Sequence, residues 1–489
     1  MLFYNTSTGK KEKFIPREPG KVNVYVCGVT AYDYCHIGHA RSAVVFDVLI
    51  RYLRYCGYEV HFARNFTDVD DKIINKANEE GLDSAVVAQM FIDAFYEDME
   101  QLNVLPPDYE PKATEHIEEM QEIVQILLDK GYAYTTPIGD VYFRVRSFPD
   151  YGALSGRNIE ELKSGIRINP EEEKEDPLDF ALWKHAKENE PCWTSPWGPG
   201  RPGWHIECSA MSKKYFSLPL DIHGGGQDLI FPHHENERAQ TVAATGTDFV
   251  NYWLHNGFVR IQQEKMSKSL GNFVVIRDIL KYFLPEVVRF FLLSTHYRSP
   301  LDFSWENLQE SEKAVKRIYQ TQQQIAQIQE HTTSTPLPDS IKEQARPILD
   351  SWEESLSEDL NTAATLGHIF SLVRIANKIL EDKKIRKSQE ARELLFNISS
   401  TLDKAGSILG LFEQDSDKFL HNLRLTKAKR LNLDISRIEK LIQERKQCRQ
   451  EKDFSRADAI RDELKDMGIK LQDTPTGTIW DVEEQKTEQ

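Results

Sequence analysis

A strand, a loop bearing histidine and glycine, and a helix follow one another over residues 21–55, and this succession constrains the fold more than any other stretch. Residues 21–27 alternate, with Val22, Val24 and Val26 on one side and Asn23 and Tyr25 on the other, the period of a strand. Residues 40–55 carry Val44, Val48, Leu49 and Leu53 at near-helical spacing, and Gly57 ends the run. Residues 58–63 read as the next strand, which makes a βαβ unit. The intervening loop places His36, Gly38 and His39 at a helix N-terminus, where backbone N–H groups and the helix dipole favour an anion, most often a phosphate. Two histidines alone would more often cap such a helix or face water.

At 489 residues the chain is too long for one core, so two to four domains are expected. Apolar content of 40% with 28% charged residues is ordinary for a globular protein. No apolar run approaches the roughly 20 residues of a membrane span. Residues 1–13 lack the apolar core of a signal peptide, so a cytoplasmic location is the expectation. The six cysteines (27, 35, 56, 192, 208 and 448) contain no CxxC pair and are expected as reduced thiols or metal ligands. A net charge of −16 argues against a general nucleic-acid binder. Residues 421–470 nevertheless hold 14 Lys+Arg against 9 Asp+Glu, a local basic excess that suits contact with RNA at a chosen place and suits a solvated helical surface equally.

The tetrapeptide His36-Ile37-Gly38-His39 resembles the first signature of class I aminoacyl-tRNA synthetases. Lys265-Met266-Ser267-Lys268-Ser269 resembles their second signature and follows in the required order. Tyr25-Val26-Cys27-Gly28 and Gly203-Trp204-His205-Ile206-Glu207-Cys208 resemble the cysteinyl-tRNA synthetases of bacterial type in particular. The resemblance runs from Lys21 to about Trp480. It implies an α/β fold: a Rossmann-like parallel-sheet catalytic domain split by a connective insertion, followed by an α-helical bundle and a small mixed α/β C-terminal domain.

The expected divisions are 1–114 and 201–262 for the catalytic domain, 115–200 for the insertion and 263–304 for the lysine-serine loop and stem-contact region. A helical bundle over 305–420, an anticodon-binding domain over 421–482 and a disordered tail over 483–489 complete them. Within these, residues 115–130 read as an amphipathic helix and 132–145 as a hairpin around Pro137-Ile138-Gly139-Asp140. Residues 171–176 form an acidic loop read as solvated surface. The sheet is expected to resume at 201–208, to continue at 218–223 before a helix over 229–244, and to take 251–261 as a further strand. Residues 277–297 read as helical with a new start at Pro285, and 305–411 as nearly all helical, broken by a linker at 332–338. A polar stretch over 415–427 precedes two helices, 436–450 and 454–467, and a hairpin around Pro475-Thr476-Gly477.

The Gly224-Gly225-Gly226 turn is no dinucleotide fingerprint, and the chain has no P-loop. What remains is a glycine turn that lets a nucleotide approach the backbone, with Asp228 placed for a ribose hydroxyl or an ammonium group. Thr67 lies at the C-terminal end of a parallel strand, where such sheets bind ligands, and Asp70 and Asp71 read as helix caps. His233 and Glu237, at i and i+4, share a helix face, but the run is not the His-Glu-x-x-His of a metalloprotease. A polar helix face explains it at least as well, and no spacing rule pairs Cys27 with Cys208.

The resemblance implies more. It puts one Zn²⁺ on Cys27, Cys208, His233 and Glu237, and the cysteine substrate against Thr67 and Trp204. It assigns ATP, with Mg²⁺, to His36, Gly38, His39, Asp228, Lys265 and Lys268, with His36, His39, Lys265 and Lys268 as the catalytic set. It places Arg449 and Phe454 at the tRNA anticodon, although Phe454 could equally pack between the last two helices. The implied activity is ligation of cysteine to its tRNA through an adenylate, by a monomer with no membrane association. A cysteine ligase that passes the adenylate to an amino sugar is the nearest alternative, and the folded segment 436–480 speaks against it. A non-catalytic zinc-containing RNA-binding module is the alternative from another class.

Overall fold

The computed structural model describes residues 1–158, 173–261, 264–265, 273–328, 335–474 and 477–482. A hairpin of β1 (Leu2–Asn5) and β2 (Lys10–Lys13) precedes the expected βαβ unit, which consists of β3 (Lys21–Thr30), α1 (Ile37–Tyr55) and β4 (Glu59–Thr67). Helices α2 (Asp71–Glu80, capped by the Asp70 side chain) and α3 (Ser84–Gln101) follow. The insertion then supplies α4 (Ile117–Asp129) and an antiparallel sheet of β5 (Ala133–Thr135), β6 (Val141–Phe143), β7 (Phe180–His185) and β8 (Gly200–Pro202). It closes over an apolar cluster that includes Met120, Val124, Phe143 and Trp183 and that it shares with Ile206 and Ala243 of the chain beyond it.

Residues 201–208 do not resume the parallel sheet. Gly200–Pro202 is the last strand of the insertion, and Trp204 opens α5 (Trp204–Tyr215). Every residue from Ile206 to Ser212 is buried, so this helix has no polar face and its sequence shows no 3.6 period. The sheet resumes at β9 (Leu220–Gly226), and a 3₁₀ and π turn over 227–234 leads into α6 (Glu235–Thr245) and β10 (Val250–Asn256). The expected strand 251–261 is two strands. At Gly257 the chain leaves the sheet, and β11 (Val259–Ile261) pairs instead with β12 (Glu264–Lys265) and with β13 (Leu301–Phe303).

The parallel sheet has the order β10-β9-β3-β4. From β3 the chain crosses outward to β4, and from β9 it crosses the other way to β10. The gap at the C-terminal ends of β3 and β9 is therefore the topological switch point, where open α/β sheets bind ligands. The insertion enters the chain between β4 and β9.

Helices α7 (Ile276–Leu280) and α8 (Pro285–Leu293, with proline at its first turn) lead through β13 into a bundle. The bundle comprises α9 (Trp305–Ala326), α10 (Asp339–Ser351), α11 (Glu354–Ser357), α12 (Thr362–Glu381) and α13 (Gln389–Leu409). One apolar core runs from the sheet through this bundle, from Val24 and Leu49 to Leu372 and Leu402. The polar stretch 415–427 belongs to a helix, α14 (Ser416–Arg430), whose buried strip of Phe419, Leu423 and Lys427 is too narrow to stand out in a polar sequence. Helices α15 (Ile435–Gln450) and α16 (Phe454–Asp466) and the hairpin β14 (Ile469–Thr474) and β15 (Gly477–Val482) form a last unit with its own core, which includes Ile438, Ile460 and Trp480. The expected second signature (Lys265 apart), the acids Glu171 and Glu172, the turn residues Pro475 and Thr476, residues 332–334 of the linker and the tail 483–489 lie outside the described residues.

Candidate active site and metal centre

A cavity of about 330 Å³ opens at the switch point, lined by Cys27, His36, Gly38, His39, Trp204 and Asp228 among others. The β3–β4 register breaks between Val26 and Val29, so Cys27 and Gly28 sit in a bulge. A bulge turns side chains away from their strand alternation, and here Cys27 is aimed at the cluster below. Position 28 requires glycine, because a Cβ there would lie 1.6 Å from the Asn65 carbonyl oxygen. The Asn65 side chain fixes the bulge by accepting from the Gly28 N–H at 2.9 Å.

His36 is the N-cap of α1. Its Nδ1 accepts from the N–H groups of Gly38 (3.0 Å) and His39 (3.2 Å), and His39 Nδ1 lies 3.4 Å from the His36 N–H. The two rings stack at 3.6 Å. Because both Nδ1 atoms are acceptors, each neutral ring carries its proton on Nε2, where it can be donated to an anion. Capping and ligand binding are thus compatible roles for the same histidines.

Among the described residues Arg41, one turn on, has no carboxylate partner. Its buried guanidinium donates to the carbonyls of Phe258, His296, Tyr297 and Ser299, and burial lowers its pKa to about 10. It ties the first signature helix to the chain that leads into β11. The sequence reading gave Arg41 no role, since carbonyl partners leave no mark in a sequence.

The four expected metal ligands converge. The donor atoms of Cys27, Cys208, His233 and Glu237 all lie within 4.8 Å of one another. The two sulfurs are 3.5 Å apart, His233 Nε2 is 2.8 Å from Glu237 Oε1, and Cys27 Sγ is 3.3 Å from the same oxygen. Burial, then Cys208 and Glu237, push the Cys27 thiol up. Burial acts likewise on Cys208, but the hydrogen bond from Cys27 and the nearby His233 outweigh it and bring that thiol down to about 6. Burial would raise the Glu237 carboxyl, yet His233 and His223 hold it well below the usual range. Two sulfurs and a carboxylate thus face each other beside imidazoles in a largely buried site. A tetrahedral zinc ion fits that donor set.

Trp204 stacks on His233 at 4.2 Å and lines the cavity, so the tryptophan lies between that imidazole and the open space, while Cys27 reaches the cavity directly. Thr67 is buried outside the lining, and its Oγ1 donates to Glu207 Oε2 at 2.5 Å; Thr30 lines the cavity instead. Burial pushes the Glu207 carboxyl well above its ordinary value. Sequence reasoning missed Glu207, Asn65, His223 and His234. Asn65 sits two residues before Thr67 on the same strand, and that period-2 relation was a usable signal.

Asp228 lies in the turn after β9 and lines the cavity. Lys265 closes β12 opposite Arg260, and Lys268 lies outside the described residues. Far away, Phe454 opens α16 and is 60% exposed, so it does not pack between the helices. Arg449 pairs with Asp473 at 2.6 Å.

The family model for the class I (C) tRNA synthetase catalytic domain matches residues 13–313. The chain belongs to the cysteine–tRNA ligases. A DALR domain matches residues 351–413 and a cysteinyl-tRNA ligase anticodon binding domain residues 436–480. The cysteine–tRNA ligase of Nitratidesulfovibrio vulgaris Hildenborough is 59% identical over 99% of this chain and 100% of its own length. That of Lawsonia intracellularis is 52% identical over the same shares. The fold is similar to Mycobacterium tuberculosis methionyl-tRNA synthetase with methionyl-adenylate, at a TM-score of 0.60 and 16% identity over 82% of this chain and 96% of that one. Cysteine–tRNA ligases are aminoacyl-tRNA ligases, and this chain is one by family. Among the described residues, no helix is long and apolar enough to cross a membrane.

Proposed function

We propose that this chain activates L-cysteine with ATP and transfers the cysteinyl group to the 3′-terminal adenosine of the cysteine tRNA. The observation that carries this reading is the shared cavity: the two-thiol cluster adjoins the space that His36, Gly38 and His39 line. The cysteine carboxylate oxygen attacks the α-phosphorus of ATP, the bond to the bridging oxygen breaks, and pyrophosphate leaves. No side-chain nucleophile is needed, so catalysis is positioning and charge stabilisation. His36 and His39 donate from Nε2 to phosphate oxygens at the α1 N-terminus, and Gly38 leaves room for the base. Asp228 holds the ribose or the substrate ammonium. Lys265 and Lys268 hold the β- and γ-phosphates, which Mg²⁺ accompanies.

Cys27, Cys208, His233 and Glu237 would hold one zinc ion. Bound there, zinc supplies a preference for sulfur over oxygen and a lowered thiol pKa, which serine cannot match. A pocket reading size alone separates such similar substrates by only about 1–3 kcal/mol. Trp204 closes the side-chain pocket, and Thr67 supports it through Glu207.

The division of labour follows the divisions set out above: catalysis in 1–114 and 201–262, with the insertion 115–200 beside it. The loop and stem-contact region is 263–304, the bundle 305–420 and the anticodon-reading unit 421–482, where Arg449 and Phe454 meet tRNA. The chain acts as a cytoplasmic monomer. Pyrophosphate exchange into ATP tests the reading: it should require cysteine, ignore serine and need no tRNA. Exchange without cysteine, or none with zinc, ATP and cysteine all present, would refute it.

A further inference from the structure

The ligand cluster holds more donors than one ion uses. A second quartet, Cys27, His223, His234 and Glu237, also keeps its donor atoms within 4.8 Å of one another. It shares Cys27 and Glu237 with the first and replaces Cys208 and His233 by two other imidazoles. Both quartets reach the cavity at their shared Cys27, and the first also borders it through Trp204, which stacks on His233. The two imidazoles peculiar to the second lie deeper: His223 stacks on Tyr25 and packs against Trp253, His223 and His234 are both 0% exposed, and neither lines the cavity.

His234 is bonded as a metal-binding histidine needs to be. Its Nδ1 lies 2.8 Å from His255 Nε2, and His255 Nδ1 lies 2.7 Å from Thr6 Oγ1. With protons on the two Nδ1 atoms, His234 donates to His255, His255 donates to Thr6, and His234 Nε2 keeps a bare lone pair. Ligating histidines characteristically donate their other N–H in this way. Among the described residues His234 Nε2 has no hydrogen-bond partner, and it lies 3.9 Å from Glu237 Oε1. His223 Nε2 lies 3.1 Å from Glu237 Oε2 and 3.6 Å from Cys27 Sγ. Its own Nδ1 has no partner among the described residues, so His234 is the better-prepared donor of the two.

We propose that Cys27, His223, His234 and Glu237 form an inner zinc position that alternates with the outer one. Because Cys27 and Glu237 serve both, an ion passes between them by exchanging Cys208 and His233 for His223 and His234, without leaving the protein. The outer set offers two sulfurs and one imidazole, the inner set one sulfur and two imidazoles, and zinc accepts both. The inner position retains the ion while the outer pair is disengaged. This inference rests on the reading of the outer quartet as a zinc site.

Cobalt(II) titration into metal-stripped full-length protein separates the two claims, read by thiolate-to-cobalt and d–d absorption. The wild type should bind one cobalt with the intensity of two thiolates. Cys208→Ser should still bind one cobalt, with about half the charge-transfer intensity, because one sulfur remains. Adding His255→Ala to Cys208→Ser should weaken cobalt about tenfold, as loss of a partner to a metal-binding histidine does, and adding His234→Ala should weaken it by about a hundredfold or more. His233→Ala and His233→Ala/His234→Ala repeat the comparison should a Cys208 variant lose its thermal transition. If removing His234 changes nothing once Cys208 or His233 is gone, the inner position is overturned and the outer reading stands. A wild type that takes up no cobalt overturns both.

Discussion

The two-thiol cluster and the C-terminal unit differ in how far apart in sequence their working residues lie and how deeply they are placed. Cys27 and Cys208 are 181 residues apart, and Cys208 is 2% exposed. Arg449 and Asp473 are only 24 residues apart and pair at the surface, and Phe454 of the same unit is 60% exposed. The first arrangement needs a bulge, a buried helix and a parallel sheet all in place before it exists. The second needs two helices and a hairpin. A buried polar cluster should therefore respond to mutation strongly and independently of salt. An exposed local pair should respond weakly and in proportion to screening.

The largest expected effect is in the cluster. Cys208→Ser or His233→Ala should lower cysteine-dependent pyrophosphate exchange by more than about 100-fold, beyond the cost of losing an outer-shell partner, while ATP affinity stays nearly unchanged. Equal losses for ATP and cysteine would make the metal a structural brace only, and the contrast between the regions would lose its chemical meaning.

Next is removal of the distal unit. The expected division at residue 421 falls inside α14, whose Lys427 and Arg430 pair with the buried Glu312 of α9, so the cut belongs after Leu431. The shortened chain should keep exchange within about twofold and lose most tRNA charging, since adenylate chemistry uses only the N-terminal cavity and the lost contacts are to tRNA. Undiminished charging would show that 436–482 does not read tRNA.

How much of this was legible in advance follows the same divide. The unit β3–α1–β4 is legible from the alternation in β3 and the long apolar run of α1, which is buried throughout Val44–Ile50, whereas the pair α15–α16 announces itself because each helix has one wet face, and a wet face makes a period. Helix α5 has none, so the residues that deliver Cys208 read as strand. The helix α14 was hidden the opposite way, by a polar background around Phe419 and Leu423. The pairing of Cys27 with Cys208 was available only through family resemblance, because spacing cannot join residues that a whole insertion separates. His223, His234 and Arg41 were silent for another reason: buried polar residues are defined by their partners, which only the fold supplies.

Smaller effects should come from the exposed pair. Arg449→Ala should raise the KM for tRNA several-fold with kcat nearly unchanged, and should reduce the salt slope of binding by about one if the contact is to phosphate. An unaltered slope would leave Arg449 a partner of Asp473 alone.

The smallest effect is a pH dependence. Arg445, Thr478 and Arg449 hold the Asp473 carboxyl well below its ordinary range. A carboxyl depressed on folding contributes stability that is present above its unfolded pKa, about 3.9, and is lost as pH falls below it. Hydrogen exchange across β14 and β15 should therefore quicken as pH drops below about 4 relative to that of the parallel sheet, after correction for intrinsic rates. In Asp473→Asn that extra quickening should vanish. If it persists unchanged, another group controls the hairpin.

The central claim is that the two-thiol cluster selects cysteine while the rest of the cavity handles ATP. It is tested most directly by calorimetric binding of cysteine, serine and ATP to the metal-stripped protein, before and after one equivalent of zinc. The account predicts that ATP binds in both states, that cysteine binds only with zinc, and that serine binds in neither. Equal cysteine affinity with and without zinc would contradict it.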